Sequence, residues 1–227
     1  MWLIPTRNRP QAMQALIESM RVSGEIPKCA VMVDGREYDI EWPKHWKIHQ
    51  SDEHLEMQLA INELFALYPN EPTYGLLTDQ ARPESRGWAS KMEAAAGTGC
   101  LAVSNNMKHR VNPRHGRLRV TCYCMGGDLA RALGWVWPSF CVHLYGDDGL
   151  EDIGYGLGII KHLPDVVIRS LQQRDGEVPF DANHRRRWNG KPYLDHDRCG
   201  YEKWRREEFD TLMDKLERFR CSPSPVS

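Results

Sequence analysis

The sequence predicts an α/β fold: a mostly parallel sheet flanked by helices, ended by a C-terminal loop and helix. Two observations carry that prediction. Short apolar runs closed by turn signals alternate with segments whose apolar residues recur at helical spacing, and the helical segments are long enough to cross back over a sheet. The 227 residues also have an ordinary globular balance, 41% hydrophobic and 27% charged, so one sizeable core can form without staples.

Taken in order, "MWLIP" is a strand closed by proline, and Met13, Ile17 and Met20 mark the helix after it. "CAVMVDG" is a strand that stops at an Asp-Gly turn, and "WKIH" is a short third strand. Met57, Ile61, Leu64 and Phe65 fall on one helical face. "TYGLLTD" is the next strand, and "PESRGWASKMEAAAG" reads as a turn and a helix stopped by Gly97. The polar, basic stretch 104–121 reads as a long loop or hairpin, and "GGDLARALGW" as a turn into a helix. "CVHLYGDDGLEDIGYGLGIIKHLPDVVIRSL" reads as strand, acidic turn, helix and strand. Residues 174–200 show no period and read as a mobile loop, before an amphipathic helix carrying Phe209, Leu212, Met213, Leu216 and Phe219.

Thirty basic and thirty-one acidic residues nearly cancel, so no global field draws in nucleic acid or an anionic membrane. No apolar run approaches membrane-spanning length, and the expected setting is the cytoplasm, with no membrane partner. The oligomeric state is not legible. Seven scattered cysteines read as reduced, buried thiols rather than disulfides or a zinc site.

In a sheet of this kind ligands gather beyond the carboxyl ends of the strands. Thr6 and Arg7, Asp34 and Asp79 each follow a predicted strand, so they converge on one rim. Asp79 is either a turn former or a ligand for a hard cation, Mg²⁺ or Mn²⁺, which needs few protein carboxylates when a bound diphosphate supplies other oxygens. Asp147, Asp148 and Asp152 crowd the start of a helix. They either cap and favour its dipole, Asp148 as the cap, or include a general base or a metal ligand in a cleft. "HRRRW" places Arg185 and Arg186 where a loop could close over phosphates, or is a solvated charge run. Lys108, His109, Arg110, Arg114, His115, Arg117 and Arg119 form a basic strip, either nucleic-acid-facing or merely soluble.

The motifs "IPTRNRP", "VMVDG", "YGLLTDQARPESRGW", "GGDLARALGW" and "GDDGLEDIGYGLGIIKHLPDVVI", in this order, resemble the family 2-like GT-A glycosyltransferases, most closely the compact bacteriophage-encoded versions. The resemblance implies a Rossmann-like domain over residues 1–182 that binds a nucleotide-diphosphate sugar and carries the chemistry. Residues 183–227 would be a loop, a helix and a frayed tail packed on the same domain. It implies an inverting transfer to an acceptor hydroxyl, with Mn²⁺ or Mg²⁺ at Asp79. Pro5, Thr6 and Arg7 would edge the nucleotide pocket and Asp34 would face the base or ribose. Asp152 is the first choice for the base beside Asp147, and Gly127 and Asp128 would line the acceptor side.

The chain departs from that pattern at Gln80, where relatives often carry a second acid, and at Asn105 and Asn106, where they often carry acids. It departs again at "VVIRSLQQ", where Ser170 and Gln172 stand in place of a histidine. A rival reading is therefore a nucleotide- or nucleic-acid-binding module that has lost catalysis. A hydroxylated base in DNA is one acceptor that the basic strip would suit; protein, lipid-linked and small-molecule acceptors stay open.

Overall fold

The computed structural model describes residues 1–35, 38–52, 54–107, 111–171, 176–177 and 191–220. The elements are β1 (Trp2–Arg7), α1 (Pro10–Val22), β2 (Cys29–Asp34), β3 (Lys47–Ser51), α2 (Met57–Leu67), β4 (Thr73–Leu76), β5 (Ala81–Pro83), α3 (Trp88–Ala96), β6 (Leu101–Asn105), β7 (Val111–Asn112), β8 (Arg117–Leu118), β9 (Tyr123–Gly126), α4 (Gly127–Leu133), α5 (Gly146–Leu157), β10 (Ile160–Ser170), α6 (Lys191–Glu207) and α7 (Phe209–Leu216). A 3₁₀ turn, Glu217–Phe219, follows α7.

Eight strands form one sheet in the order β3-β2-β1-β4-β9-β6-β10-β5, and β7 and β8 make a separate hairpin. Pairings among β3, β2, β1 and β4 are parallel, as is β6 with β10. β9 runs antiparallel to both of its neighbours, β4 and β6. The mostly parallel α/β expectation holds.

Every residue of β2 is buried, as a strand covered on both faces requires. Side chains of β1 alternate between two cores. Leu3 joins Ile61, Leu64, Leu150, Ile153 and Leu216 on one face. Trp2 and Ile4 join Met13, Ile17, Trp88 and Met92 on the other. Trp2 meets Trp88 edge-on at 4.6 Å, and Gly75 passes so close to the Trp2 ring that no Cβ fits there. Pro10 opens α1, where its missing N–H costs nothing. The first turn of α3 has its N–H groups satisfied from across the fold: Ala89 and Ser90 donate to the Glu25 carboxylate at 2.8 and 3.0 Å.

Four sequence expectations need correction. "CVHLY" forms no strand; Val142, His143 and Leu144 donate their backbone N–H groups to the Asp197 carboxylate instead of to a ladder, at 2.8, 2.9 and 2.6 Å. The stretch read as a mobile loop to residue 200 contains the start of α6. Its buried positions Asp197, Tyr201 and Trp204 do fall at i, i+4 and i+7, but the first is an aspartate, which hid the period. Asp148 does not cap α5: the N-cap residue is Tyr145 in the left-handed region, and no side chain caps it. The strand β9, its reversed direction and the strand β6 were not anticipated.

α6 and α7 bury Tyr201, Trp204, Phe209 and Leu216 in the same cluster as α2 and α5. Trp204 stacks on Phe140 at 4.5 Å and Tyr201 on Tyr145 at 5.5 Å. The thiols of Cys122 and Cys124 are both pushed up to about 12 by burial, and both cysteines are free. Among the described residues no helix is long and apolar enough to cross a membrane.

Candidate active site

The parallel register brings the strand ends together. Arg7 pairs with Asp34 and Asp34 with Ser51, all three at the carboxyl ends of their strands. Leu3 pairs with Leu76, so the chain leaving β4 carries Asp79 alongside Thr6. The Thr6 hydroxyl donates to Asp79 Oδ2 at 2.9 Å, and the Arg9 guanidinium approaches Asp79 Oδ1 at 3.3 Å. The Tyr38 hydroxyl lies 3.0 Å from Thr6 Oγ1 and accepts the Arg9 backbone N–H at 2.8 Å. Asp34 Oδ2 sits 2.8 Å from His54 Nδ1 and 3.6 Å from Arg7 Nε. Thr6, Asp34 and Asp79 are each at most 5% exposed, and this network satisfies them.

Thr6, Arg7, Arg9, Asp34, His54 and Asp79 line a cavity of about 380 Å³. Pro5, Thr6, Arg7, Asp34, Asp79 and Asp147 all border it, and Met32, Leu76, Val120 and Trp137 supply apolar wall. That size and mix of surfaces suit a small polar ligand with an aromatic or aliphatic portion. Asp147 comes from the first turn of α5, where Arg119 donates to it at 3.0 Å. Burial, joined by the Asp148 carboxylate, raises the Asp147 carboxyl above the usual range even though Arg119 pulls it back.

The rest of the acidic cluster faces elsewhere. Asp148 accepts from Asn112 at 2.9 Å and pairs with Arg114 at 3.1 Å. Glu151, fully buried, accepts from Asn112 at 2.6 Å and from the Val120 N–H at 2.9 Å, and His115 Nε2 lies 2.9 Å away. Together they tie the β7–β8 hairpin to α5. Asp152, the first choice for the base, is not among the cavity-lining residues. Its carboxylate joins Arg114 Nη2 at 2.9 Å, Arg205 Nε at 3.1 Å and the Tyr201 hydroxyl at 2.5 Å, clamping α6 to α5.

Gly127 and Asp128 lie at the opposite rim. Because β9 is antiparallel, Gly126 pairs with Thr73 at the start of β4, whereas Asp79 lies beyond its end. Gly127 donates to Pro72 O at 2.7 Å, and Asp128 is an exposed partner of Arg131 at 2.7 Å. Arg185, Arg186, Lys108, His109 and Arg110 lie outside the described residues. Arg114 and Arg119 of the basic strip are engaged by carboxylates, and Arg117 lies 4.7 Å over the Tyr155 ring.

Several cavity residues went unnoticed in the sequence. Arg9 stands two residues beyond Arg7 in "TRNRP", and the strand-end rule that selected Arg7 would have selected it. His54 carries no local signal, because only folding brings it to the rim, and the same holds for Tyr38, which contacts Thr6 and Arg9 without lining the cavity. Ser170 reaches the cavity through an irregularity in β10: its register against β6 jumps between Leu163 and Val167, around Pro164. The far end of β10 then swings onto β5, pairing Ser170 with Ala81, and the Leu171 N–H donates to Gln80 O at 3.1 Å.

Ser170 and Gln80 therefore share the rim with Asp79. Around Asp79 the described oxygen donors are its own carboxylate, already engaged by Arg9 and Thr6, a neutral amide and a neutral hydroxyl, while the other carboxylates on the cavity, Asp34, Glu56 and Asp147, are paired with His54 or Arg119. Among the described residues no group of three or more His, Cys, Asp or Glu side chains comes together to hold a metal ion. This donor set does not fit an Mn²⁺ or Mg²⁺ ion held by protein side chains, since such ions favour several anionic oxygens.

The architecture is the GT-A fold, the Rossmann-like fold of glycosyltransferases. The crystal structure of GalNAc-T7 with UDP, GalNAc and Mn²⁺ is similar at a TM-score of 0.63 and 11% identity, covering 96% of this chain and 53% of that one. Glucosyl-3-phosphoglycerate synthase from Mycobacterium tuberculosis, in complex with Mn²⁺, UDP-glucose and phosphoglyceric acid, matches at 0.55 and 13% identity, covering 86% and 78%. TarS from S. aureus matches at 0.51 and 12%, covering 77% and 37%. This chain thus spans about half of GalNAc-T7, and at these identities the likeness carries the fold alone. No family model and no curated protein matches the sequence.

Proposed function

We propose that this chain is a glycosyltransferase that moves a sugar from a nucleotide-diphosphate sugar to an acceptor hydroxyl. The observation that carries the reading is the meeting of Thr6, Arg7, Asp34 and Asp79 from three strand ends with Asp147 from α5 in one cavity. Asp34 and Thr6 suit the hydroxyl and amide groups of a nucleoside, and Arg7 suits its phosphates. Asp147 is the base in this reading, in place of Asp152. The acceptor oxygen bonds to the anomeric carbon as the bond from that carbon to the diphosphate oxygen breaks. The hydroxyl proton passes to Asp147 and the electron pair leaves with the diphosphate. A carboxylate raised above its ordinary range is a stronger base for that proton.

Fold likeness supports the reading, since the GalNAc-T7 and glucosyl-3-phosphoglycerate synthase structures hold UDP or UDP-glucose. The family resemblance favours inversion of configuration, which the anomeric NMR signal of the product reads directly. A DNA acceptor gains no support from Arg114, Arg117 and Arg119, whose guanidinium groups are engaged within the protein.

The test is thermal shift with uridine, guanosine and cytidine diphosphate sugars, followed by an assay for released nucleoside diphosphate. A bound donor raises Tm with the logarithm of its concentration over Kd. No shift with any of these donors sinks the reading. Binding without release in the presence of broad acceptor mixtures favours a binding module that has lost catalysis.

A further inference from the structure

We propose that a second cavity, beside the first, seats the acceptor, and that the acceptor it takes is an uncharged polyhydroxylated ring, a sugar unit. The inference rests on the nucleotide-sugar reading of the first cavity and deepens it by naming the acceptor class.

The second cavity, of about 160 Å³, lies between the end of β6, the chain from β8 to β9 and the irregularity of β10 around Pro164. At a liquid volume of about 30 Å³ each it would hold about five waters, which is room for one ring rather than a chain of them. Thr121 borders both cavities. Arg119 lines the second and donates at 3.0 Å to Asp147, which borders the first. A ligand seated here therefore lies next to the group that takes the acceptor proton in the proposed transfer.

The wall sets the chemistry of that ligand. His162 is part of it, and burial lowers its imidazole below the ordinary histidine value, so the ring is neutral near pH 7. The Tyr155 hydroxyl donates its one proton to Leu118 O at 2.7 Å, so it can only accept from His162 Nε2 at 2.9 Å. The imidazole proton then sits on Nε2, and Nδ1 is a hydrogen-bond acceptor with no partner among the described residues. Thr121 makes the complementary demand. Its Oγ1 accepts from Asn106 Nδ2 at 2.9 Å, which leaves its own proton to donate. A hydroxyl group meets both demands, whereas an ionised carboxylate or phosphate only accepts and an ammonium only donates.

Arg119 is the one arginine, lysine or acid among the described lining residues, and Asp147 and Asp148 match its charge at 3.0 and 3.5 Å. Asn105 and Asn106 add amides to a wall that is otherwise uncharged. Val103, Leu118, Leu163 and Pro164 supply apolar surface for the C–H faces of a ring.

Saturation-transfer-difference NMR on the full chain, with UDP, GDP or CDP and MgCl₂ present, reads the acceptor directly. The probes are the methyl glycosides of glucose, galactose, mannose and N-acetylglucosamine, the anionic methyl glucuronide, and a DNA oligonucleotide carrying 5-hydroxymethylcytosine. At least one neutral glycoside should bind, and more tightly than the glucuronide. His162→Gln keeps a donor for the Tyr155 oxygen and removes Nδ1; it should weaken the glycoside about 3- to 10-fold, the worth of one neutral hydrogen bond. Leu118→Trp, at a position 37% exposed, fills the cavity and should abolish glycoside binding. Calorimetry should find nucleoside diphosphate affinity unchanged in both variants, which shows that they fold.

A nucleoside diphosphate that binds while no neutral glycoside does overturns the proposal and leaves the nucleotide-sugar reading standing. Wild-type glycoside affinity in both variants overturns it as well, as does tighter binding of the glucuronide or the oligonucleotide. If no nucleoside diphosphate binds, the nucleotide-sugar reading falls and takes the proposal with it.

Discussion

Asp147 and Asp197 show how hydrogen bonding divides carboxylates that look alike in the sequence. Asp147 borders the cavity, and burial together with Asp148 raises its carboxyl. Asp147→Asn should cut turnover by about 10² to 10⁴, the usual worth of a general base, with donor affinity retained; a steady-state assay beside calorimetry checks this. The acid limb of the wild-type rate profile should lie above the ordinary aspartate value of about 3.9 and be absent from the residual activity of the variant. Asp197 goes the other way. Burial pushes its carboxyl up, but hydrogen bonds from Val142, His143, Leu144 and His196 outweigh it and hold the group below its ordinary value. A depressed carboxyl contributes stability that is present above the unfolded value of about 3.9 and is lost as pH falls through the folded value. Asp197→Asn should cost about 2–3 kcal/mol at neutral pH in urea unfolding, the scale of hydrogen bonds to a charged group, and the gap to wild type should close in acid.

At the level of elements, α5 depends on glycine for its position. A Cβ at Gly146 would strike the Trp137 ring, and one at Gly149 would lie 2.5 Å from Phe140 Cζ. Both aromatic rings belong to the segment leading into α5, and Trp137 is cavity wall. Gly149→Ala should therefore destabilise by about 1–3 kcal/mol through overpacking, even though alanine is the better helix former; thermal unfolding measures the sign. α5 was legible as a helix after an acidic turn, but the purpose of its acids was not. Spacing shows that Asp147, Asp148, Glu151 and Asp152 crowd one end. Which of them faces a cavity, a hairpin or α6 depends on neighbours that are 28 to 53 positions distant in the chain, such as Arg119, Arg114, Asn112, Tyr201 and Arg205.

Over the whole molecule, α6 and α7 complete the core on the α2 and α5 side of the sheet. Tyr201, Trp204, Phe209 and Leu216 are each at most 7% exposed, and Asp197 holds the segment that carries His143, Leu144 and Tyr145 along the cavity. A chain ended at residue 190 should lose cooperative unfolding and near-ultraviolet circular dichroism, because those aromatic partners and the carboxylate leave together. A sharp, wild-type-like transition in the truncated chain would show that the last two helices are dispensable.

By itself the sequence determined the α/β class, most of the strand and helix order through β4 and α3, and the rim where Thr6, Arg7, Asp34 and Asp79 meet. Those features are local: apolar periodicity, turn residues, and the rule that parallel strands end at one side of a sheet. Only the tertiary structure decided that β9 runs backwards, which sends Gly127 and Asp128 to the far rim. It also decided that the irregularity at Pro164 carries Ser170 across to Gln80 and Asp79, and that Asp152 joins a clamp rather than the cavity. Strand direction and ion-pair choice arise from contacts between segments far apart in the chain, and residue spacing along the sequence carries no record of them.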